Sequence, residues 1–347
     1  MKMLVLGGTA FLSHAIAAEG VRRGHDVVCA ARGTSGRVPD GATLVRVDRD
    51  APDGLEPLAG QRFDAVVDVA TMSYPWVRDA LTALGAQASH WTFVSSINVY
   101  ADAVTTGQDE DSELHEPATS GAAAEERIQH PHLYGGIKVG CENAVREAMG
   151  ERALIVRSGL IIGPGDVSDR FGYWPARISR GGRVVVPDAL EQPTQHIDVR
   201  DMATWIVGAG ERGTGGTYNG VGPARPFGEL LAAVVKAVGT PDTALVPLSA
   251  ELLEASGVQV WRGEKSLPLW VPPEDYGFMA HDHSRALAAG LVHRPFEETV
   301  ADVLAYEREL GLDRERKAGL TTAEELALLE AGARTETTET TEKGDLV

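Results

Sequence analysis

Tyr134 and Lys138 lie four residues apart in a segment, 134–149, whose apolar residues recur at three-and-four spacing. A helix there stacks both side chains on one face. A free tyrosine titrates near 10, about three units above neutral pH, so acid–base work at pH 7 needs a nearby cation that favours the phenolate. Lys138 supplies that charge and can also hold a ribose. Ser96, at the end of the apolar run 91–96, offers a hydroxyl that can position a substrate oxygen. The set suits proton relay at a carbonyl or alcohol oxygen during hydride transfer. By itself the pair also fits a half-buried tyrosine beside a surface lysine. A glycine turn at the start of the chain and the serine pair before Ile97 favour the chemical reading.

That turn is Gly7-Gly8-Thr9-Ala10-Phe11-Leu12-Ser13, between an apolar run at 2–6 and an amphipathic stretch at 11–23. In such a turn, amide N–H groups and the helix N-terminus can hold a pyrophosphate. The motif is degenerate: in a GxxGxxG frame only Gly7 is glycine, with Ala10 and Ser13 at the other two positions. NAD enzymes place an acidic residue about 20 residues further on, at the end of the second strand, to hold ribose hydroxyls. Here that place reads Ala30-Ala31-Arg32-Gly33. Arg32 suits the 2′-phosphate of NADP, Arg37 is a second candidate, and NADP(H) is favoured over NAD(H). Asp48 can accept from the adenine amino group, and Arg49 and Ala70 complete the candidate cofactor residues.

The elements that must position these groups alternate strand and helix. Strands are expected at 2–6, 26–31, 43–47, 64–70, 91–96 and 153–162, with helices at 11–23, 74–86 and 134–149. Six strands with crossover helices make an α/β fold, a Rossmann-type doubly wound parallel sheet over residues 1–162. Residues 97–133 are too long for an ordinary connection and read as a lid. Residues 163–331 form a mixed lobe with returning Rossmann elements: a helix at 202–210, a strand at 217–220 and a helix at 227–238. This small C-terminal substrate-binding lobe is expected at the carboxyl edge of the sheet. Thr322 and Glu325 read as a capping box for a last helix to 331. The low-complexity tail 332–347 reads as disordered.

Composition narrows the partners. With 32 Lys plus Arg against 50 Asp plus Glu, the net charge is −18, which repels nucleic-acid backbones and anionic membranes. A small-molecule substrate is expected instead. Cys29 and Cys141 have no partner at disulfide or metal spacing, which fits a reducing compartment. The opening MKMLVLGG runs into glycines without a cleavage site or a long apolar span, and the expected location is cytoplasmic. His281 and His283 have alternate spacing but no third ligand, so no metal is expected. Asp201, near Asp198 and Arg200, reads as a helix N-cap, and His196 faces either core or pocket. Phe171, Tyr173, Trp174, Trp261, Trp270, Tyr276 and Phe278 gather in the second half, as pocket lining or as packing.

Taken together, VLGGTAFLS, VSSINVY, YGGIK, RSGLIIGPGD, HIDVRDMA and SRALAAGLVHRPFEETVADVL resemble an extended short-chain dehydrogenase/reductase of the NAD-dependent epimerase/dehydratase family, over residues 1–310. The resemblance implies a triad of Ser96, Tyr134 and Lys138, because the family's hydroxyl lies four residues before the Tyr of VY, here Tyr100. Ser95 then supports the strand end. Sugar 4,6-dehydratases carry an Asp-Glu pair where this chain has Ile97 and Asn98, which argues against that reaction. The Asn that many nucleotide-sugar enzymes place after strand 6 is missing from 157–161. Ser96, Asn98, Arg157, Phe171, Trp174 and His196 are the expected substrate residues. The GGTxFLx turn is similar to that of atypical members, including a branch related to chloroplast stem-loop RNA-binding proteins, against which the net charge argues. The implied activity is that of an NAD(P)-dependent oxidoreductase of carbonyl reductase or alcohol dehydrogenase type. Its alternatives are a nucleotide-sugar 4-epimerase with tightly bound NAD and a catalytically silent nucleotide-binding or regulatory protein. The resemblance also implies a homodimer through the helices at 74–86 and 134–149.

Overall fold

Short apolar runs alternating with amphipathic helices build a seven-stranded sheet in a computed structural model that describes residues 1–121 and 131–344. The strands are β1 (Lys2–Leu6), β2 (Asp26–Ala31), β3 (Thr43–Arg46), β4 (Ala65–Asp68), β5 (Trp91–Ser96), β6 (Ala153–Ser158) and β7 (Gly216–Gly220), in spatial order β3-β2-β1-β4-β5-β6-β7. All pairs are parallel, with Met3 opposite both Val27 and Ala65, and Ser96 opposite Ser158. Strand order reverses between β1 and β4, and open α/β sheets bind ligands at the carboxyl ends flanking such a point.

Both faces of the sheet are covered, which is why its strands read as continuous apolar runs. On one face α1 (Phe11–Arg22) and α4 (Val199–Arg212) bury Ile16, Ala17, Met202 and Ile206. On the other, α2 (Tyr74–Leu84) and α3 (Pro131–Met149) bury Val77, Leu81, Ile137 and Val145. Apart from Ala17, each of these side chains contributes about 1.5–3 kcal/mol. Three glycines let α3 come close to its neighbours: an added Cβ at Gly135 would lie 2.2 Å from the Asn98 carbonyl, at Gly136 2.7 Å from that of Glu116, and at Gly140 2.3 Å from that of Ala118.

Several expectations are corrected. The sheet has seven strands rather than six, the seventh being the strand expected near 217–220. The strand expected over 153–162 ends at Ser158, and Leu160–Ile162 is a separate short strand outside the seven. Helix α4 begins at Val199, so its N-cap is Asp198, which accepts from the Arg200 N–H at 2.8 Å. Asp201, expected as the cap, instead accepts from Arg294 Nε at 2.8 Å and from its backbone N–H at 2.9 Å. Of the expected lid, residues 122–130 lie outside the described residues, and Leu114 bridges antiparallel to Tyr100.

The chain divides into two compact units. The first comprises Met1–Ile161, Gln195–Pro223 and Gly277–Arg294, and holds the sheet. The second comprises Ile162–Thr194, Ala224–Tyr276 and Pro295–Val347. It contains α5 (Phe227–Val238), α6 (Phe296–Leu310) and α7 (Thr322–Gly344), with Arg183–Pro187 paired in parallel with Ala244–Leu248. The capping box of α7 lies one residue earlier than expected. Glu324 accepts from the Thr321 N–H at 2.8 Å, and Thr321 Oγ1 accepts from the Glu324 N–H at 3.3 Å. Glu325 turns inward to Arg177 and the Val185 N–H. The helix passes 331 and covers most of the tail expected to lack structure, while residues 345–347 lie outside the described residues.

Candidate active site

The glycine turn follows β1 directly. Gly7 and Gly8 have φ of +135° and +101°, in the region that favours glycine. Gly8 also packs against β2 so closely that an added Cβ would lie 2.4 Å from Cys29 Sγ. The two non-glycine positions of the motif are accommodated differently. Ala10 is exposed and is the N-cap of α1, with no side-chain cap bond, so the first amides of the helix are left for an anion. Ser13 is buried, with its hydroxyl donating to the Ala10 carbonyl at 2.7 Å.

A cleft of about 210 Å³ opens at this turn. Its lining includes Gly7, Thr9, Arg32, Ser35, Asp48, Arg49, Ala70, Thr71 and Trp76. Gly8, Phe11 and Leu12 lie in the turn and first helical residues beside it, and Arg37 is an exposed residue of the loop after β2. Arg32 is exposed, and no carboxylate stands at the end of β2. Glycines that a Cβ would fill, an uncapped helix N-terminus and a cleft at the strand-order reversal fit a dinucleotide. Ser35, Thr71 and Trp76 were missed in the sequence. Trp76 stands in the first turn of α2, the helix that follows β4, a place that could have signalled it.

Beside the cleft, α3 carries Tyr134 and Lys138, both buried. The Lys138 ammonium donates to the carbonyls of Ala70 at 2.6 Å and Val94 at 2.8 Å, and lies 4.8 Å from the Phe93 ring and 5.9 Å from the Tyr134 ring. Val94 is two residues before Ser96 on β5, so strand and helix bring the three expected groups to one edge of the sheet. Ser96 caps the turn that follows β5: its hydroxyl donates to Asn98 Oδ1 at 2.9 Å and accepts from the Asn98 N–H at 3.2 Å.

Behind this edge runs a buried polar network. Glu142, one turn beyond Lys138 and fully buried, accepts from Ser95 Oγ at 2.6 Å, from Arg157 Nε and Nη2 at 3.1 and 2.9 Å, and from Arg146 at 2.8 Å. Arg157 also donates to Tyr100 Oη at 3.1 Å and to the Glu110 carbonyl at 2.9 Å. Tyr100 donates to Asn219 at 2.6 Å. Burial raises the Tyr100 phenol above its ordinary value. Arg157, expected at the substrate, thus has its guanidinium committed inside the fold. His281 stacks on Tyr100 with ring centroids 4.7 Å apart. Burial pushes it down to about 4, and its ring is neutral at pH 7.

The remaining expected residues separate. His196 is buried in the first unit. Phe171 and Trp174 are buried in the second, where Phe171 meets Phe296 edge-on and Trp174 meets Phe227 edge-on and donates from Nε1 to the Pro268 carbonyl at 2.9 Å. Side chains packed in this way present no face to a ligand. Cys29 and Cys141 are buried free thiols, pushed up by burial to about 11 and about 12.

A parallel sheet in Rossmann strand order, a glycine turn and a helix-borne Tyr-Lys pair define a short-chain dehydrogenase/reductase-type enzyme. Residues 3–220 match the NAD dependent epimerase/dehydratase family, and the chain belongs to that family. It is 29% identical over 255 residues to a 2′-dehydrokanamycin reductase of Streptomyces kanamyceticus, covering 70% of this chain and 68% of that protein. It is 25% identical over 292 residues to the Epimerase family protein SDR39U1 of Bos taurus, covering 77% of this chain and 92% of that one. Among solved structures it is similar in fold to the Bordetella bronchiseptica enzyme WbmH in complex with NAD+, with a TM-score of 0.64, 20% identity and coverage of 89% and 99%. Among the described residues, no helix is long and apolar enough to cross a membrane.

Proposed function

We propose that the protein is an NAD(P)-dependent oxidoreductase that interconverts a carbonyl and an alcohol on a small-molecule substrate. The observation that carries this reading is the seat of Lys138, fixed beside the Tyr134 ring by the carbonyls of Ala70, just after β4, and Val94, on β5. A bound nicotinamide dinucleotide supplies or accepts the hydride. Tyr134 gives its phenol proton to the substrate oxygen during reduction and takes it back during oxidation. The Lys138 charge stabilises the phenolate oxygen left when that proton moves. Ser96, pre-aligned by Asn98, turns its hydroxyl to the same substrate oxygen, and Asn98 and His196 border the substrate.

Gly7, Gly8, Thr9, Ala10, Phe11 and Leu12 hold the pyrophosphate through their amides, while Asp48, Arg49 and Ala70 wall the cleft beyond. Arg32, with Ser35 in the cleft and Arg37 on the same loop, supports NADP(H) over NAD(H). The relative named as a reductase supports net reduction over epimerisation. We place the protein in the cytoplasm as a homodimer, in line with its two free buried thiols and the resemblance to its family.

Titration of the purified protein with NADPH and NADH, together with assay of any nucleotide released on denaturation, tests this function. Protein that is empty as purified, prefers NADPH, loses that preference in Arg32→Ala and consumes NADPH with carbonyl substrates bears it out. Copurified NAD with no net redox overturns it in favour of an epimerase.

A further inference from the structure

Two buried carboxylates share the surroundings of Lys138, and each is already answered by arginine. The charges of Lys138, Asp68, Arg49 and Glu142 all act on the buried thiol of Cys141, which follows Lys138 on α3. Glu142 is held by Arg157 and Arg146. Asp68, fully buried at the end of β4, accepts from Arg49 Nη1 and Nη2 at 2.8 and 2.9 Å, and Nη2 also donates to the Trp76 carbonyl at 2.6 Å. Lys138 itself donates to two neutral groups, the Ala70 and Val94 carbonyls. Its charge is therefore left for a phenolate or a cofactor ribose.

Asp68 makes one more bond. Its Oδ1 accepts from the Ala70 N–H at 2.9 Å, closing the turn that an aspartate or asparagine side chain forms with the backbone two residues on. The carbonyl of that same Ala70 accepts from the Lys138 ammonium at 2.6 Å. Because peptide planes are rigid, only the two backbone dihedrals of Ala70 separate the bond to Asp68 from the bond to Lys138. We propose that Asp68 is a positioning residue for Lys138: its buried turn aims the Ala70 carbonyl at the ammonium. Arg49 neutralises the carboxylate, which if unpaired would be costly to bury and would compete with the Tyr134 phenolate for the Lys138 charge. The inference rests on the function proposed above, with Lys138 holding the cofactor ribose. It goes beyond that function by tracing the placement of the lysine to a side chain at the end of β4.

Calorimetric titration with ADP and with ADP-ribose tests the link without turnover, because the two ligands differ by the ribose that Lys138 holds. Replacing both members of the ion pair keeps an unpaired buried charge out of the comparison. Arg49→Leu/Asp68→Asn keeps an acceptor for the Ala70 N–H, whereas Arg49→Leu/Asp68→Leu and Arg49→Leu/Asp68→Ala do not, and thermal melting checks that each folds. The wild type and the variant that keeps the acceptor should bind ADP-ribose more tightly than ADP by the same factor. In the two variants without it, that factor should fall about tenfold. With Lys138→Met added, the double variants should no longer differ, because Asp68 acts through that lysine. The inference is overturned, and the dinucleotide reading left intact, by an equal factor in all three double variants, by a difference that survives Lys138→Met, or by loss of folding in both variants without the acceptor. Wild-type protein that binds ADP-ribose no more tightly than ADP overturns it in the same way. Wild-type protein that binds neither ligand overturns both.

Discussion

Lys138 Nζ donates to the Ala70 carbonyl at 2.6 Å, joining the middle of α3 to the residues that follow β4. A second bond, to Val94, ties the same ammonium to β5. The ammonium is therefore held by the backbone of β5 and of the loop after β4. This seat fixes the spacing of the Tyr134–Lys138 pair to the sheet.

Replacing Tyr134 by Phe removes one oxygen and little packing, because the ring is already buried. Under the proposed function, kcat should fall by about 10²–10⁴ while dinucleotide affinity and melting temperature stay near wild type. Steady-state kinetics alongside nucleotide titration checks this. Unchanged turnover would remove Tyr134 from the chemistry.

Gly8→Ala places a methyl group 2.4 Å from Cys29 Sγ at a φ of +101°. The strain is of order 1–3 kcal/mol, and the turn must move to relieve it. Dinucleotide binding should weaken well beyond any loss of melting temperature. Pairing the change with Cys29→Gly removes both the Sγ and the Cβ at 2.7 Å but not the backbone strain, so only part of the affinity should return.

Glu142→Ala leaves Arg157 buried without its carboxylate, a loss of about 3–5 kcal/mol. Glu142→Gln keeps an acceptor for Ser95 and should cost less. Chemical denaturation of the two variants measures the difference, and equal stability in both would mean that Arg157 finds another partner.

Most of the sheet and the shared helix face of Tyr134 and Lys138 were legible because their signals are local. β1, β2, β5 and α5 have the bounds that their apolar periodicity predicts. Tyr134 and Lys138 share a face because they are four apart on a helix. What failed depends on distant partners. Nothing near Arg157 announces that Glu142, Tyr100 and Glu110 will surround it, and nothing near Arg49 points to Asp68. β7 was expected as a strand at 217–220, but its place as the seventh strand of the sheet depends on its pairing with β6. Asp198 and Asp201 are equally good caps in sequence, and the start of α4 decides between them. The Thr- and Glu-rich end of α7 has no apolar stripe from which its length could be read.

His281 gives the protein a dependence on acid. In the fold, burial lowers its pKa from 6.5 to about 4, helped by the nearby Arg157 charge. The unfolded chain therefore binds the extra proton as pH falls through 6.5, while the folded protein resists until about 4. The stability that rests on a neutral His281 is complete above pH 6.5 and declines below it, by at most about 1.4 kcal/mol per pH unit. Burial lowers His90, His115, His283 and His293 in the same direction, so the wild-type slope contains several such contributions. His281→Phe keeps a ring against Tyr100 and removes the titration. Denaturation midpoints measured from pH 7.5 to 4.5 should fall less steeply in this variant than in the wild type, and parallel curves would show that the His281 ring takes up its proton in the folded state as readily as in the unfolded chain.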